Sequence, residues 1–309
     1  FRNIMRNRRR SILSGSALAV ATMRIVLLFG MMAGMLDDME KNEKRYSTGA
    51  VQIRNADFAK YERLNPTHLV VPDSSGKKAE LKQIPWVTRV SQRINFPGRI
   101  YKDDREYNIQ GKGVDFETEM DFQRLDESLA MGRFPEPGSR EAVIGFKLAD
   151  KLGLDLNDTT PDKITILTFK SNRTTKIFTV EVVGILAFPV GALNATTVLI
   201  PLDTVQDLLL MENAASELLI MIDEKNIKPN EASQILRDSF GEKYGNLSIQ
   251  SWLETNLIFS MMNLATKIYD IFALFFFVLG SSVIINTTIM VIYERMKEIG
   301  TLGAMGMRG

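Results

Sequence analysis

Ile271 to Tyr293 reads IFALFFFVLGSSVIINTTIMVIY, and these 23 residues contain no formal charge. An apolar stretch of this length can cross a bilayer as one helix. Ser281, Asn286 and Thr288 lie within it and can form hydrogen bonds to neighbouring helices. The stretch therefore predicts a membrane protein in which this helix packs in a bundle.

A second apolar stretch lies near the N-terminus. Ser11 to Leu36 reads SILSGSALAVATMRIVLLFGMMAGML, 26 residues with one charge, Arg24. The stretch is too long for the apolar region of a signal peptide and has no cleavage motif, so we expect it to span the membrane. An arginine at membrane depth costs a few kcal/mol. Arg24 is expected either to face a cavity or partner helix, or to extend its head group to the membrane surface.

Charged residues flank the two predicted spans unevenly. Basic residues precede the first span and follow the second: Arg2, Arg6, Arg8, Arg9 and Arg10, then Arg295, Lys297 and Arg308. The first span is followed by acidic Asp37, Asp38 and Glu40. The positive-inside rule then predicts that both termini are cytoplasmic and that the middle lies outside. Residues 1–10 have the pattern of an interfacial helix.

The middle of the chain, residues 37–250, alternates between strand and helix patterns. Strands are predicted at Ala50–Ile53, Thr88–Ile94, Arg105–Gly111, Glu141–Ile144, Lys163–Leu167, Lys176–Ile185, Thr197–Ile200 and Leu218–Ile222. Helices are predicted at Glu119–Leu125, Phe146–Leu152, Leu202–Met211 and Asn230–Tyr244. Loops are predicted at Asp73–Gly76, Pro135–Gly138 and Asn157-Asp158. The fold class is thus two membrane helices flanking an α+β domain, which we expect to have two subdomains.

A helical stripe begins before the second span. Its apolar members recur at steps of three and four: Leu253, Leu257, Met261, Leu264, Ile268 and Ile271. Both helices are therefore expected to continue beyond the bilayer as a stalk, with residues 251–293 forming the second stalk and span. Candidate lipid or acyl-chain contacts at this level are Met31, Met35, Met39, Leu257, Met261 and Met262. The alternative is that these methionines form a helix–helix contact.

The composition excludes several kinds of chemistry. The chain has no cysteine and a single histidine, His68, which argues against a metal site or a catalytic dyad. No phosphate-binding G-x-x-x-x-G-K-[ST] motif and no G-x-S-x-G motif occur. The net charge of +1 gives no field that would attract nucleic acid. We therefore expect no catalytic residue, no metal and no cofactor in this chain.

The tail after the second span carries the most specific motif. Tyr293–Gly306 reads YERMKEIGTLGAMG, which resembles the coupling segment of ABC permeases of the MacB, FtsX and LolC/LolE type. Further runs resemble the same family: Arg2–Arg10 (the elbow helix), Gly132–Phe134, Glu141–Gly145, Leu148–Gly153, Val183–Ile185 and Ile200–Gln206. Trp252–Asn256 resembles the lipoprotein-releasing branch most. The resemblance covers essentially the whole chain.

The resemblance implies the permease subunit of an ABC transporter in a bacterial inner membrane. ATP and Mg²⁺ would bind to a separate cytoplasmic ATPase, which is the first expected partner. Residues 294–309 would form a coupling helix in a groove of that ATPase, and Gly300, Gly303 and Gly306 would permit close approach. Contact is assigned to Glu294, Arg295, Lys297, Glu298, Ile299, Leu302 and Met305. The alternative is a basic helix that rests on lipid headgroups.

A second permease copy or paralogue is the other expected partner. Closure of the two copies would move the stalks and the periplasmic domains, and the substrate would be a lipoprotein taken from the outer leaflet. Family members have four membrane helices, so we expect that this chain is a fragment. The lipoprotein-releasing branch captures a periplasmic chaperone with a long loop, whereas the corresponding connection here, Thr168 to Thr175, is short.

Other functions remain possible at this stage. Within the family, these are MacB-like efflux and FtsX-like control of a cell-wall hydrolase. Outside it, a sensor receptor has the same order of helix, outer domain and helix. A receptor continues after its second helix as a heptad coiled coil, and the glycine-spaced tail argues against that.

Overall fold

The computed structural model describes residues 8–64, 66–102, 105–154, 162–255 and 257–305. Contacts divide the chain into two compact units. The helical unit consists of Phe1–Asp38 and Leu257–Gly309, and the sheet unit consists of Met39–Asn256.

The strands, in chain order, are β1 (Val51–Asn55), β2 (Val71–Pro72), β3 (Val87–Lys102), β4 (Arg105–Val114), β5 (Leu129–Gly132), β6 (Glu141–Gly145), β7 (Lys163–Phe169), β8 (Thr175–Leu186), β9 (Thr197–Pro201), β10 (Ala214–Ala215), β11 (Glu217–Ile222) and β12 (Leu247–Ser251). The helices are α1 (Arg8–Glu43), α2 (Ser74–Leu81), α3 (Phe116–Phe122), α4 (Leu125–Ser128), α5 (Phe146–Leu152), α6 (Leu193–Thr196), α7 (Leu202–Leu209), α8 (Pro229–Leu236), α9 (Glu242–Tyr244), α10 (Trp252–Thr255) and α11 (Leu257–Ala304). π-Helical turns follow α1 (Lys44–Thr48) and α8 (Arg237–Gly241), and Phe58–Leu64 is a 3-10 helix.

The helical unit contains α1 up to Asp38 and the 48-residue α11. Within the described residues, one segment, Leu264–Leu302, is long and apolar enough to cross a membrane, with a mean hydropathy of 2.2. It contains the second predicted span. The first predicted span lies in α1 and stays a prediction. The rings of Phe29 in α1 and Tyr269 in α11 meet edge to face, with centroids 4.2 Å apart.

The stripe predicted from Leu253 onward lies in helical residues. Leu253 lies in α10 and Leu257 begins α11, and Asn256 between them lies outside the described residues. α11 shows no break where the coupling segment was expected to begin, because it continues to Ala304. The predicted elbow helix falls largely outside the described residues, and Arg8 to Arg10 form the start of α1.

One ten-stranded sheet organises the sheet unit. Its strand order is β12-β1-β11-β3-β4-β9-β6-β8-β5, and β7 pairs with both β3 and β8. The pairs β4–β9 and β6–β8 are parallel. The pairs β3–β4 and β3–β7 are antiparallel. Strands and helices thus occur together with mixed pairing, as an α+β domain requires.

The sheet carries two large hydrophobic clusters on shared strands. One contains Leu236 and Ala232 of α8, packed with β1 and β11. The other contains α5 and α7, packed with β4, β6, β8 and β9. The 16-residue strand β3 contributes Val90 to the first and Ile94 and Phe96 to the second. A third, smaller cluster includes Tyr46, Val114 and Phe116. The two expected subdomains stay a prediction, and β3 is long enough to reach both large clusters.

All eight predicted strands are present, most within one or two residues of the expected bounds, although β3 extends to Lys102. The predicted loop at Asp73–Gly76 is wrong, since these residues begin α2. A Cβ on Gly76 would lie 2.5 Å from Asp73 Oδ2, so the Asp73 carboxylate folds over the first turn in the space that the glycine leaves. The predicted helix Glu119–Leu125 is confirmed only as far as Phe122, because Arg124 has a φ of 56° and separates α3 from α4.

Candidate functional site

The candidate site is the junction at which α1 enters the sheet unit. The helix widens into the π-helical turn Lys44–Thr48 and stops at Gly49, whose φ is 66°. Gly49 N donates to Lys44 O at 3.0 Å, and Ala50 N donates to Ile220 O at 2.8 Å. A Cβ on Gly49 would lie 3.0 Å from the backbone N and O of Ile220. Glycine therefore permits the helix to end directly against β11.

Lys44 connects this turn to the place where the chain leaves the sheet. Its Nζ donates to Glu40 Oε1 at 2.5 Å and to Glu224 Oε1 at 2.6 Å. The same ammonium lies 5.0 Å from the ring centroid of Trp252 in α10. Trp252 N donates to Ala50 O at 3.1 Å. We call these contacts of Lys44 and Trp252 the clasp, and they join the first and last segments of the sheet unit.

A buried ion pair lies beside the π-helical turn. Arg93 of β3 and Glu119 of α3 both have fully buried side chains, with 0% exposure. Arg93 donates Nε to Glu119 Oε1 at 2.6 Å and Nη2 to Oε2 at 2.9 Å. Ser91 Oγ and Gln123 Nε2 also donate to this carboxylate. The pair is thus bidentate and its acceptor is fully satisfied, which is the geometry in which a buried pair is tolerated.

The same arginine binds the C-terminal end of α1 and its π-helical turn. Arg93 Nη1 donates to Tyr46 O and Nη2 donates to Arg45 O, each at 3.2 Å. Lys112 Nζ donates to Tyr46 O at 3.2 Å. The last carbonyl groups of a helix have no partner within the helix and carry partial negative charge. Two buried cations satisfy them here and so tie the turn to the sheet.

Further charges extend this group across the sheet. Glu217 of β11 accepts from Arg54 Nη2 at 2.8 Å and from Asn95 Nδ2 at 2.7 Å. Burial acts to raise the pKa of Glu217, but Arg54 and Arg93 outweigh it and hold the pKa below its usual value. Burial and the positive charge of Arg93 lower the pKa of Lys112 to about 8. The buried charge network is defined as Arg54, Arg93, Lys112, Glu119 and Glu217.

The sequence did not predict this network. Apart from Glu119 of α3, its residues are polar positions of strands that alternate with apolar ones, a pattern that predicts a solvated face. In the sheet, Arg54 lies opposite Glu217 and Glu217 lies opposite Arg93. The turn and α3 cover this face. The available signal was the presence of opposite charges on different strands. That signal predicts ion pairs only if the strands are neighbours, and the sequence does not reveal which strands pair.

The residues assigned to ATPase contact lie in the last turns of α11 and just beyond. Their described side chains are exposed: Glu294, Arg295, Lys297, Ile299, Leu302 and Met305. The side chain of Glu298 lies outside the described residues. A Cβ on Gly300 would meet no atom within 4 Å, so this segment offers an open surface.

The methionines assigned to lipid contact lie partly in the helical unit and partly in the sheet unit. Met31 and Met35 are exposed on α1 and, four residues apart, share a face. Met261 is exposed on α11, whereas Met39 is partly buried in the sheet unit. The side chains of Leu257 and Met262 lie outside the described residues. Arg24 is exposed on α1, and both predictions for it remain.

Comparison with known protein families gives one match that covers most of the chain. The model of the MacB-like periplasmic core domain matches residues 11–238. No sequence among the curated proteins matches.

Solved structures that match this chain include three domains. The periplasmic region of MacB from Actinobacillus actinomycetemcomitans is 13% identical, with a TM-score of 0.46 over 65% of this chain and 88% of that one. The extracellular domain of the noncanonic ABC-type transporter YknZ from Gram-positive bacteria is 17% identical, with a TM-score of 0.43 over 65% and 99%. A domain of a putative permease from Porphyromonas gingivalis is 12% identical, with a TM-score of 0.34 over 65% and 85%.

Proposed function

The chain belongs to the family of MacB-like periplasmic core domains, and from this membership we propose that it is a permease subunit that couples ATP hydrolysis in the cytoplasm to movement of its periplasmic domain. In this proposal α1 and α11 both cross a bacterial inner membrane, and both ends of the chain are cytoplasmic. A separate ABC ATPase binds ATP and Mg²⁺. A second permease copy or paralogue completes the transporter, and this chain has no catalytic role.

The junction is the observation that carries the proposal. A movement of α1 can reach the periplasmic domain only if the end of the helix is held firmly. Arg93 and Lys112 bind the last carbonyl groups of the π-helical turn, and Lys44 joins that turn to Glu224 and Trp252. A flexible linker would absorb the movement, whereas buried polar contacts of this kind have one geometry. The junction supports transfer of force from helix to sheet.

The coupling assignment is tested with the candidate ABC ATPase in proteoliposomes. We expect that Glu298→Lys abolishes stimulation of ATP hydrolysis and pull-down of the ATPase, because it reverses a charge in the proposed contact. Glu117→Lys makes the same change at an exposed position in the first turn of α3 and serves as the control. Full stimulation and pull-down by Glu298→Lys would refute the assignment of the tail.

The substrate in this proposal is a lipoprotein extracted from the outer leaflet. Exposed Met31, Met35 and Met261 support it, because flexible thioether side chains adapt to an acyl chain. Photo-crosslinkers at Met35 or Met261 should capture acylated protein in cells and not its unacylated variant. A crosslinker at Tyr101, exposed at the far end of β3, is the control. Crosslinks to a second permease alone would instead support the helix–helix contact.

A further inference from the structure

A small cavity lies at the end of the sheet, away from the junction. It has a volume of about 230 Å³ and is lined by segments that are distant in sequence. Its polar lining consists of Asn55, His68, Lys77, Tyr244 and Asn246. His68 and Lys77 supply cationic or donor groups, and the two asparagines supply amides that can donate. The cavity therefore brings several donors together at one place.

Lys77 in this cavity is a buried cation that forms no direct ion pair among the described residues. The residue is only 3% exposed. Its Nζ donates to Pro72 O at 2.5 Å and lies 4.1 Å from the ring centroid of Tyr244. Among the described residues, no carboxylate lies within salt-bridge distance of this ammonium. Buried charges in proteins are normally paired, so this arrangement costs free energy unless an anion is supplied.

The carboxylates nearest to Lys77 are engaged elsewhere. Both oxygens of Glu80 accept from Lys243 Nζ, at 2.8 and 3.0 Å, and Tyr244 Oη donates to Glu80 at 2.9 Å. Asp73 Oδ1 accepts from Asn213 Nδ2 at 3.0 Å. Burial lowers the pKa of Lys77, while Asp73 and Glu80 act to raise it and Lys243 acts to lower it. The two carboxylates thus compensate Lys77 only from a distance.

We propose that this cavity binds a small soluble anion of the carboxylate or phosphate class, with Lys77 as its counter-ion. Asn55 and Asn246 line the cavity and can donate to the oxygens of such an anion. His68 would contribute a second positive charge when protonated. The volume equals that of about eight water molecules at ~30 Å³ each, which fits a small anion and is below the range of typical drug-sized ligand pockets.

The pKa of His68 reports directly whether an anion is bound in the cavity. Because His68 is the only histidine in these 309 residues, ring-labelled histidine gives one imidazole signal in this chain in maltoside micelles. Burial and the positive charge of Arg173 lower the pKa of His68. An anion in the cavity favours the imidazolium, so inorganic phosphate or acetate should raise the pKa of His68 by about half a unit or more. Chloride at the same ionic strength should have little effect.

Two variants separate the site from a general salt effect. Lys77→Met keeps a long apolar side chain but removes the charge, and it should abolish the phosphate-dependent shift. Lys82→Met makes the same change at an exposed residue of the same segment and should preserve the shift. Phosphate should also raise the thermal midpoint of the wild type, because it binds the folded state.

The measurements on the wild-type protein test the proposed anion site even if Lys77→Met fails to fold. No change in the pKa of His68 or in the thermal midpoint up to tens of millimolar phosphate and acetate would overturn the proposal. A shift that persists in Lys77→Met would overturn the role of Lys77. A response to micelles containing phosphatidylglycerol, without a response to phosphate or acetate, would overturn a soluble anion in favour of a lipid headgroup.

Discussion

Replacement of Arg93 by methionine is expected to be among the most damaging single changes in the sheet unit. It leaves the Glu119 carboxylate at 0% exposure without its cation and removes the bonds from Arg93 to Tyr46 O and Arg45 O. Breaking a buried pair from one side costs about 3–5 kcal/mol. With a urea m value of ~2 kcal/mol/M, a loss of ~4 kcal/mol lowers the unfolding midpoint by ~2 M.

Tryptophan fluorescence of the full-length protein in urea at pH 7 measures this change. Arg89→Met is the matched control on the same strand, because Arg89 and its partner Asp121 are 46% and 68% exposed. An exposed pair contributes about 0–1 kcal/mol, so the control should unfold close to the wild type. The double variant Arg93→Met, Glu119→Gln should recover part of the lost stability, since it removes the unpaired charge.

Two results would refute this reasoning. One is an Arg93→Met midpoint equal to that of Arg89→Met, which would mean that the buried pair does not hold the turn. The other is a double variant no more stable than Arg93→Met, which would mean that the cost arises from packing and not from charge.

Three further changes test the junction. The pKa of Lys112 is about 8 in the folded chain against an ordinary value of 10.5, so the unfolded chain binds the extra proton between these pH values. The free energy of unfolding should therefore rise with pH in that window more steeply in the wild type than in Lys112→Met, and parallel pH profiles would contradict the burial of this charge. Gly49→Ala should destabilise by at least ~1 kcal/mol in urea, since its φ is 66° and its Cβ would lie 3.0 Å from Ile220 N. Lys44→Met should change the fluorescence of Trp252 in a Trp86→Phe background, and an unchanged spectrum would rule out the clasp.

The parts of the fold that sequence predicted are those governed by local patterns. Alternation predicted β7 and β8. Ile164 and Ile166 of β7 face one cluster, whereas Thr165 and its cross-strand partner Thr179 of β8 are exposed. The span Ile271–Tyr293 was predicted by length and composition, which need no tertiary information. Phe146–Leu152 was predicted with its observed bounds because Gly153, with a φ of 59°, ends the helix.

The parts that were missed depend on contacts between distant segments. β12 has no strong pattern of its own and exists because it pairs with β1. The π-helical turn is stabilised by side chains from β3 and β4 that follow it by about fifty residues or more. Arg93 is buried only because α3 covers it, and a single strand cannot reveal such a cover. Tertiary context therefore decided the junction, whereas local pattern decided most of the sheet.

The length of β3 has a consequence for how the sheet unit opens. Its first half pairs with β11 beside one hydrophobic cluster, and its second half pairs with β4 and β7 beside the other. Amides near Ile94 and Phe96 can exchange with solvent only when both neighbourhoods separate, so they should be among the slowest to exchange with deuterium. Local unfolding near one cluster would then also destabilise the strand pairing near the other. The sheet unit should unfold as one cooperative body.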